Sequence, residues 1–143
     1  MKKLFILILV LTATIGCSNK PPGKPGDMYQ GGKIFYVDPT YRHGLVVDTV
    51  DLGLTNWEDA TNICSNYRSG GYSDWRLPTK EDLNLLYKQK DTLGGFINYK
   101  YWSNEELPSK EDDDSAYYEN FTNGTQGKAA QSDIYTVRAV RKF

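Results

Sequence analysis

Gly71-Tyr72-Ser73-Asp74-Trp75-Arg76-Leu77-Pro78-Thr79 is the stretch from which the domain is read. Pro78-Thr79 opens a helix: Thr79 with Asp82 three residues on makes a box-like cap, and Leu83, Leu86 and Tyr87 follow as an apolar stripe. Upstream lies another helix. Thr55 with Glu58 makes a capping box, and Trp57, Ala60, Cys64 and Tyr67 recur at i, i+3, i+7 and i+10, with Ile63 beside them. Ser69-Gly70-Gly71 ends it. Before that helix, the β-branched and aromatic runs Gly32–Asp38 and His43–Val50 read as two strands joined by a turn at Pro39–Arg42. Downstream, Asp91–Gly95 breaks the helical pattern and Tyr101-Trp102-Ser103 begins a strand. Asn123-Gly124 between Ser115–Thr122 and the stretch from Thr125 signals a hairpin with both turn residues at positive φ. Tyr135–Phe143 reads as one last strand. The order of strands, two helices, then strands predicts an α+β domain with its helices on a mostly antiparallel sheet. The first and last strands are expected to lie together and bring the termini close.

Further outward, residues 1–16 read as a secretory signal peptide. Lys2 and Lys3 precede an apolar run of twelve residues, Leu4–Ile15, short of the roughly 20 that a spanning helix needs. Gly16 directly before Cys17 resembles a lipobox, although Thr14 stands where leucine is usual. The expectation is cleavage before Cys17 and diacylation of its sulfur. The mature protein would then be anchored to a membrane by lipid without spanning it. Ser18 is not the aspartate that retains enteric lipoproteins at the inner membrane, which points to the outer one. From residue 17 to 27 the chain reads as a lipidated cysteine followed by a Pro-, Gly- and Lys-rich tether. Residues 28–143 are one domain, long enough for one core and too short for two.

Loss of Lys2 and Lys3 with the signal leaves 15 basic residues against 18 acidic ones, a net charge near −3. No basic cluster is present to attract polyanions, so nucleic acid is not an expected partner. With Cys17 acylated, Cys64 is the one cysteine left, and no intrachain disulfide can form. The domain must stand on its core, which 3 Trp, 11 Tyr and 5 Phe can build.

Blocks of sequence along the whole domain resemble the Lcl C-terminal-like domain, a bacterial domain formerly of unknown function that occurs in lipoproteins and exported proteins. They are Tyr29–Val37 with His43-Gly44-Leu45, then Trp57, Ala60 and Cys64, then Gly71–Thr79. Tyr101-Trp102-Ser103-Asn104-Glu105, Phe121-Thr122-Asn123-Gly124 and Val137-Arg138-Ala139-Val140-Arg141 complete the series. The resemblance implies a fold related to C-type lectins and to the sulfatase-modifying-factor domain. One member forms the adhesive end of a collagen-like surface protein that binds sulfated polysaccharides. This acidic chain lacks both collagen repeats and a basic patch.

Most of the conspicuous side chains have structural explanations. Trp75 is expected in the core, with Arg76 pairing with Asp74 or a loop carbonyl and positioning the second helix. Trp102, Arg138 and Arg141 are expected to be structural too. Cys64 invites a catalytic reading, because enzymes of the related fold use cysteines. It lies on the apolar side of its helix, away from any cation or helix N-terminus that would lower its pKa, and reads as packing. His43 is the only histidine and has no Cys/His cluster around it, so no zinc site is expected. Glu111-Asp112-Asp113-Asp114 has the charge to ligate calcium but not the alternating spacing of a calcium loop, and reads as solvated. No other cofactor is implied.

The expected function is non-catalytic binding, of carbohydrate, a peptide or another envelope component. The alternatives are an enzyme derived from the sulfatase-modifying fold and a purely structural envelope protein. The polar stretch 104–117 between Trp102 and Tyr118 has the length of a functional loop. Tyr117 and Tyr118 are adjacent on a strand, so one must face away from the core. The candidate ligand surface is therefore Asn104, Glu105, Asp112, Asp114 and Tyr117.

Overall fold

The computed structural model describes residues 23–107 and 114–143. The putting together of the chain is α+β. A short β1 (Met28–Tyr29) and β2 (Gly32–Val37) are followed by β3 (Gly44–Val47) and β4 (Leu54–Thr55). Then come α1 (Trp57–Asn66), α2 (Lys80–Lys88) and the one-turn α3 (Lys90–Leu93). The chain closes with β5 (Lys100–Glu106), β6 (Ser115–Asn120), β7 (Thr125–Ala130), β8 (Tyr135–Thr136) and β9 (Val140–Lys142). One sheet runs β1-β2-β3-β9 and the other β4-β8-β5-β6-β7. Every pairing is antiparallel except β5 with β8. Among the described residues no helix is long and apolar enough to cross a membrane.

Strands β2 and β3 and the first half of β5 bury residues on both faces, which is why they read as apolar runs rather than as alternations. Ile34 and Val46 join Ala60 and Cys64 of α1 with Trp75, Trp102 and Tyr135 in one core cluster. Their chain neighbours Phe35 and Val47 point the other way, to Leu83 and Leu86 of α2, Leu93, Tyr101 and Phe121. The 71–79 segment ties these halves together. Trp75 is buried, and Arg76 forms a two-way backbone bridge with Val140 of β9, at 2.9 Å each way.

Three local expectations are corrected. The first is the cap of α1, which is Asn56 accepting from Asp59 N at 3.0 Å rather than Thr55 with Glu58. Thr55 is held in β4 opposite Tyr135, and its carbonyl takes the Trp102 indole N–H at 2.9 Å. The cap therefore passes to the next residue. The second is the β6–β7 turn. Asn120 pairs with Thr125, so the loop is four residues, and of these only Gly124 has positive φ. Phe121 causes the widening: it is fully buried, with its ring 4.4 Å from that of Tyr101. The third is the last strand, which is two. At Val137–Ala139 the backbone leaves Leu52 and Gly53 for Asp48. There Arg138 buries its guanidinium, and the chain passes from one sheet to the other. The end of the chain does return to its beginning: β9 lies in the sheet of β1 and β2, and the Phe143 ring sits 4.8 Å from Tyr29.

Candidate functional site

The conspicuous residues of the sequence are mostly tied into the frame. Trp57 donates its indole N–H to Ser103 O at 2.8 Å, and Trp75 donates to Ser69 O at 3.2 Å. Arg76 does not pair with Asp74. Its Nη1 donates to Asp82 of α2 at 2.8 Å and to Leu77 O at 2.9 Å. Asp74 instead accepts two bonds from Arg141, at 2.7 and 3.2 Å, which holds its carboxyl below the usual carboxylate range. The Arg141 guanidinium also lies 3.8 Å from the Tyr72 ring centroid. Arg138, almost wholly buried, donates to Asp51 at 2.6 Å, to Asp48 O at 2.9 Å and to Gly95 O. Cys64 is fully buried, and burial with the negative charge of Asp48 pushes its thiol up to about 12. It stays protonated across the physiological range and is a poor nucleophile.

What remains with polar atoms facing solvent gathers at the start of α2. Thr79 caps the helix in a full capping box with Asp82, as the spacing predicts. A register irregularity in β5 between Trp102 and Glu106 bends the strand toward this cap. Asn104 N thus reaches Pro78 O at 2.8 Å, and Glu105 Oε1 accepts from Lys80 N at 2.9 Å. A carboxylate there also meets the positive end of the helix dipole. From the neighbouring β6, Tyr117 turns its ring under the Lys80 ammonium, 4.1 Å from the centroid. From β7, Gln126 donates to Lys80 O at 2.8 Å. A groove of about 420 Å³ opens beside these groups, lined by Lys80, Glu81, Asn84, Leu85 and Gln126.

Of the five expected ligand residues, Glu105 and Tyr117 meet at Lys80, and Asn104 is exposed one residue away on β5. Asp114 is exposed at the start of β6, its carbonyl accepting from Gln131 N at 2.7 Å. Asp112 lies outside the described residues, as do Glu111, Asp113 and Cys17. Tyr118 faces the opposite way from Tyr117, against Tyr135 at 5.1 Å and beneath Lys100. Among the described residues no group of three or more His, Cys, Asp or Glu could hold a metal ion.

Lys80, Asn84 and Gln126 were not anticipated from the sequence. One signal was there for Lys80. A cation in the first turn of a helix opposes the dipole, so a lysine directly after a capping threonine needs an external partner.

The chain resembles the crystal structure of botrocetin, at 11% identity and a TM-score of 0.42, over 82% of this chain and 93% of that one. No curated protein matches it in sequence. The family model described as the Lcl C-terminal domain matches residues 39–141, from the turn after β2 through Arg141 in β9. This protein belongs to the Lcl C-terminal domain family.

Proposed function

We propose that this protein is an exported lipoprotein, anchored through acylated Cys17 in the outer membrane, whose domain binds a carbohydrate or another envelope component without catalysis. The observation that carries the binding role is the convergence on Lys80. A half-exposed tyrosine ring, a carboxylate, a carboxamide and a groove meet where α2 begins beside β5, β6 and β7. Such a mixture of one ring with donors and acceptors suits a polar, ring-shaped ligand. The raised thiol of Cys64 speaks against the enzymatic alternative. Asp114 stands directly before β6, and it and Asp112 belong to the proposed surface with Asn104, Glu105 and Tyr117.

A screen of melting temperature against oligosaccharides and peptidoglycan fragments tests the role. A binding module gains stability in proportion to ligand occupancy, so at least one compound should raise the melting temperature by several degrees. With that compound, Tyr117→Ala and Asp112→Ala should each weaken affinity at least severalfold while the ligand-free melting temperature stays nearly unchanged. Unaltered affinity in both variants would move the site elsewhere on the domain.

A further inference from the structure

The groove beside Lys80 has a chemistry of its own. Behind it Glu119 is fully buried. Its Oε2 accepts from Gln126 Nε2 at 2.9 Å, and Asn84 hydrogen-bonds the same carboxylate. Its Oε1 has no partner among the described residues. Burial raises the pKa of this carboxyl, and the two amides and the charge of Lys88 act against that rise.

The Glu119 carboxyl oxygen accepts from its neighbours, so it dictates which end of each carboxamide turns inward. Gln126 Nε2 gives one N–H to Glu119 and the other to Lys80 O. Both of its N–H bonds are spent, and its oxygen alone is left to meet a ligand. Asn84 also turns its amide nitrogen to Glu119, and its side chain lines the groove. The Glu81 carboxylate lines the same space. Apart from the Lys80 ammonium, which lies over the Tyr117 ring, the polar wall is made of acceptors, and it suits a ligand that brings donors. The Lys80 ammonium offsets the Glu81 carboxylate in the lining. Sulfate and phosphate groups bring only acceptors and would meet these oxygens with the Lys80 ammonium as their one donor in the lining.

We infer that the groove between α2 and the β6–β7 hairpin binds an uncharged saccharide, whose adjacent hydroxyls donate to the carbonyl oxygens of Gln126 and Asn84. Glu119 is a positioning residue that holds both amides in that orientation. This inference rests on the binding role proposed above and names its ligand class. It excludes sulfated polysaccharides from this groove.

The test is an array of immobilised mannose-, glucose- and galactose-terminated oligosaccharides beside heparan sulfate and chondroitin sulfate, probed with the full chain in detergent. The wild type should bind one or more neutral probes and neither sulfated one. Gln126→Ala and Asn84→Ala should each lower that binding at least tenfold at a temperature where circular dichroism shows the variant folded. Glu119→Gln releases the amides, so it should narrow the preference for neutral over sulfated probes at least fivefold, a change that loss of packing alone would not produce. If Glu119→Gln fails to fold, the two surface variants decide. Binding to sulfated probes alone, or neutral binding within twofold of wild type in both surface variants, overturns the inference and leaves the binding role standing. Silence of the wild type on every probe overturns the inference, and the binding role is then decided by the melting-temperature screen alone.

Discussion

Arg138 shows how far one side chain can hold this domain together. Its guanidinium spans Asp51, Asp48 O and Gly95 O and lies over the Phe96 ring at 4.4 Å, so it joins two loops to the passage between sheets. Removing one partner of a buried pair leaves the other desolvated and unpaired, at a cost of about 3–5 kcal/mol. Arg138→Ala should lose about that much in urea unfolding, and Arg138→Lys should recover little, since one ammonium cannot reproduce the planar fork. Cys64 makes a smaller contribution. Cys64→Ala removes little volume and should cost about 1–2 kcal/mol. Because its thiol is buried and pushed up to about 12, native protein at pH 8 should resist thiol reagents until it unfolds. Rapid labelling would contradict the packing role.

At the scale of elements, each part of the chain was legible to the extent that neighbours in sequence decide it. The α2 cap was, because Thr79 and Asp82 satisfy one another within four residues. The α1 cap was not, because β8 and the Trp102 indole, far along the chain, hold Thr55 in an extended strand. The four-residue hairpin loop and the split of the last strand have the same kind of cause: Phe121 and Arg138 are drawn into the core by distant partners. The candidate site divides in the same way. Glu105 and Tyr117 stood out by residue type and position, whereas Gln126 and Asn84 gain meaning only through Glu119, which no spacing reveals. The displaced cap yields a direct check. Asn56→Ala should cost about 1 kcal/mol, whereas Glu58→Ala, exposed and outside the cap, should stay within about 0.5 kcal/mol. The reverse order in thermal unfolding would restore the Thr55–Glu58 box.

At the scale of the whole molecule, the proposed lipid anchor at Cys17 is joined to the proposed binding domain. Two acyl chains hold a protein firmly where one holds it weakly, at roughly 0.8 kcal/mol per buried methylene. Cys17→Ser should therefore move the protein from the membrane fraction to the soluble fraction, and unchanged partitioning would contradict lipidation. The proposed ligand surface lies on the α2 and β6–β7 side, and the residues leading into β1 hydrogen-bond to β2. Amide hydrogen exchange of the full chain, with and without the oligosaccharide that binds it most tightly, tests this most directly. Binding should slow exchange in residues 80–85, 104–105 and 117–126 and leave β2 and β3 unchanged. Protection confined to β2, β3 and β9, with the start of α2 unaffected, would contradict the account.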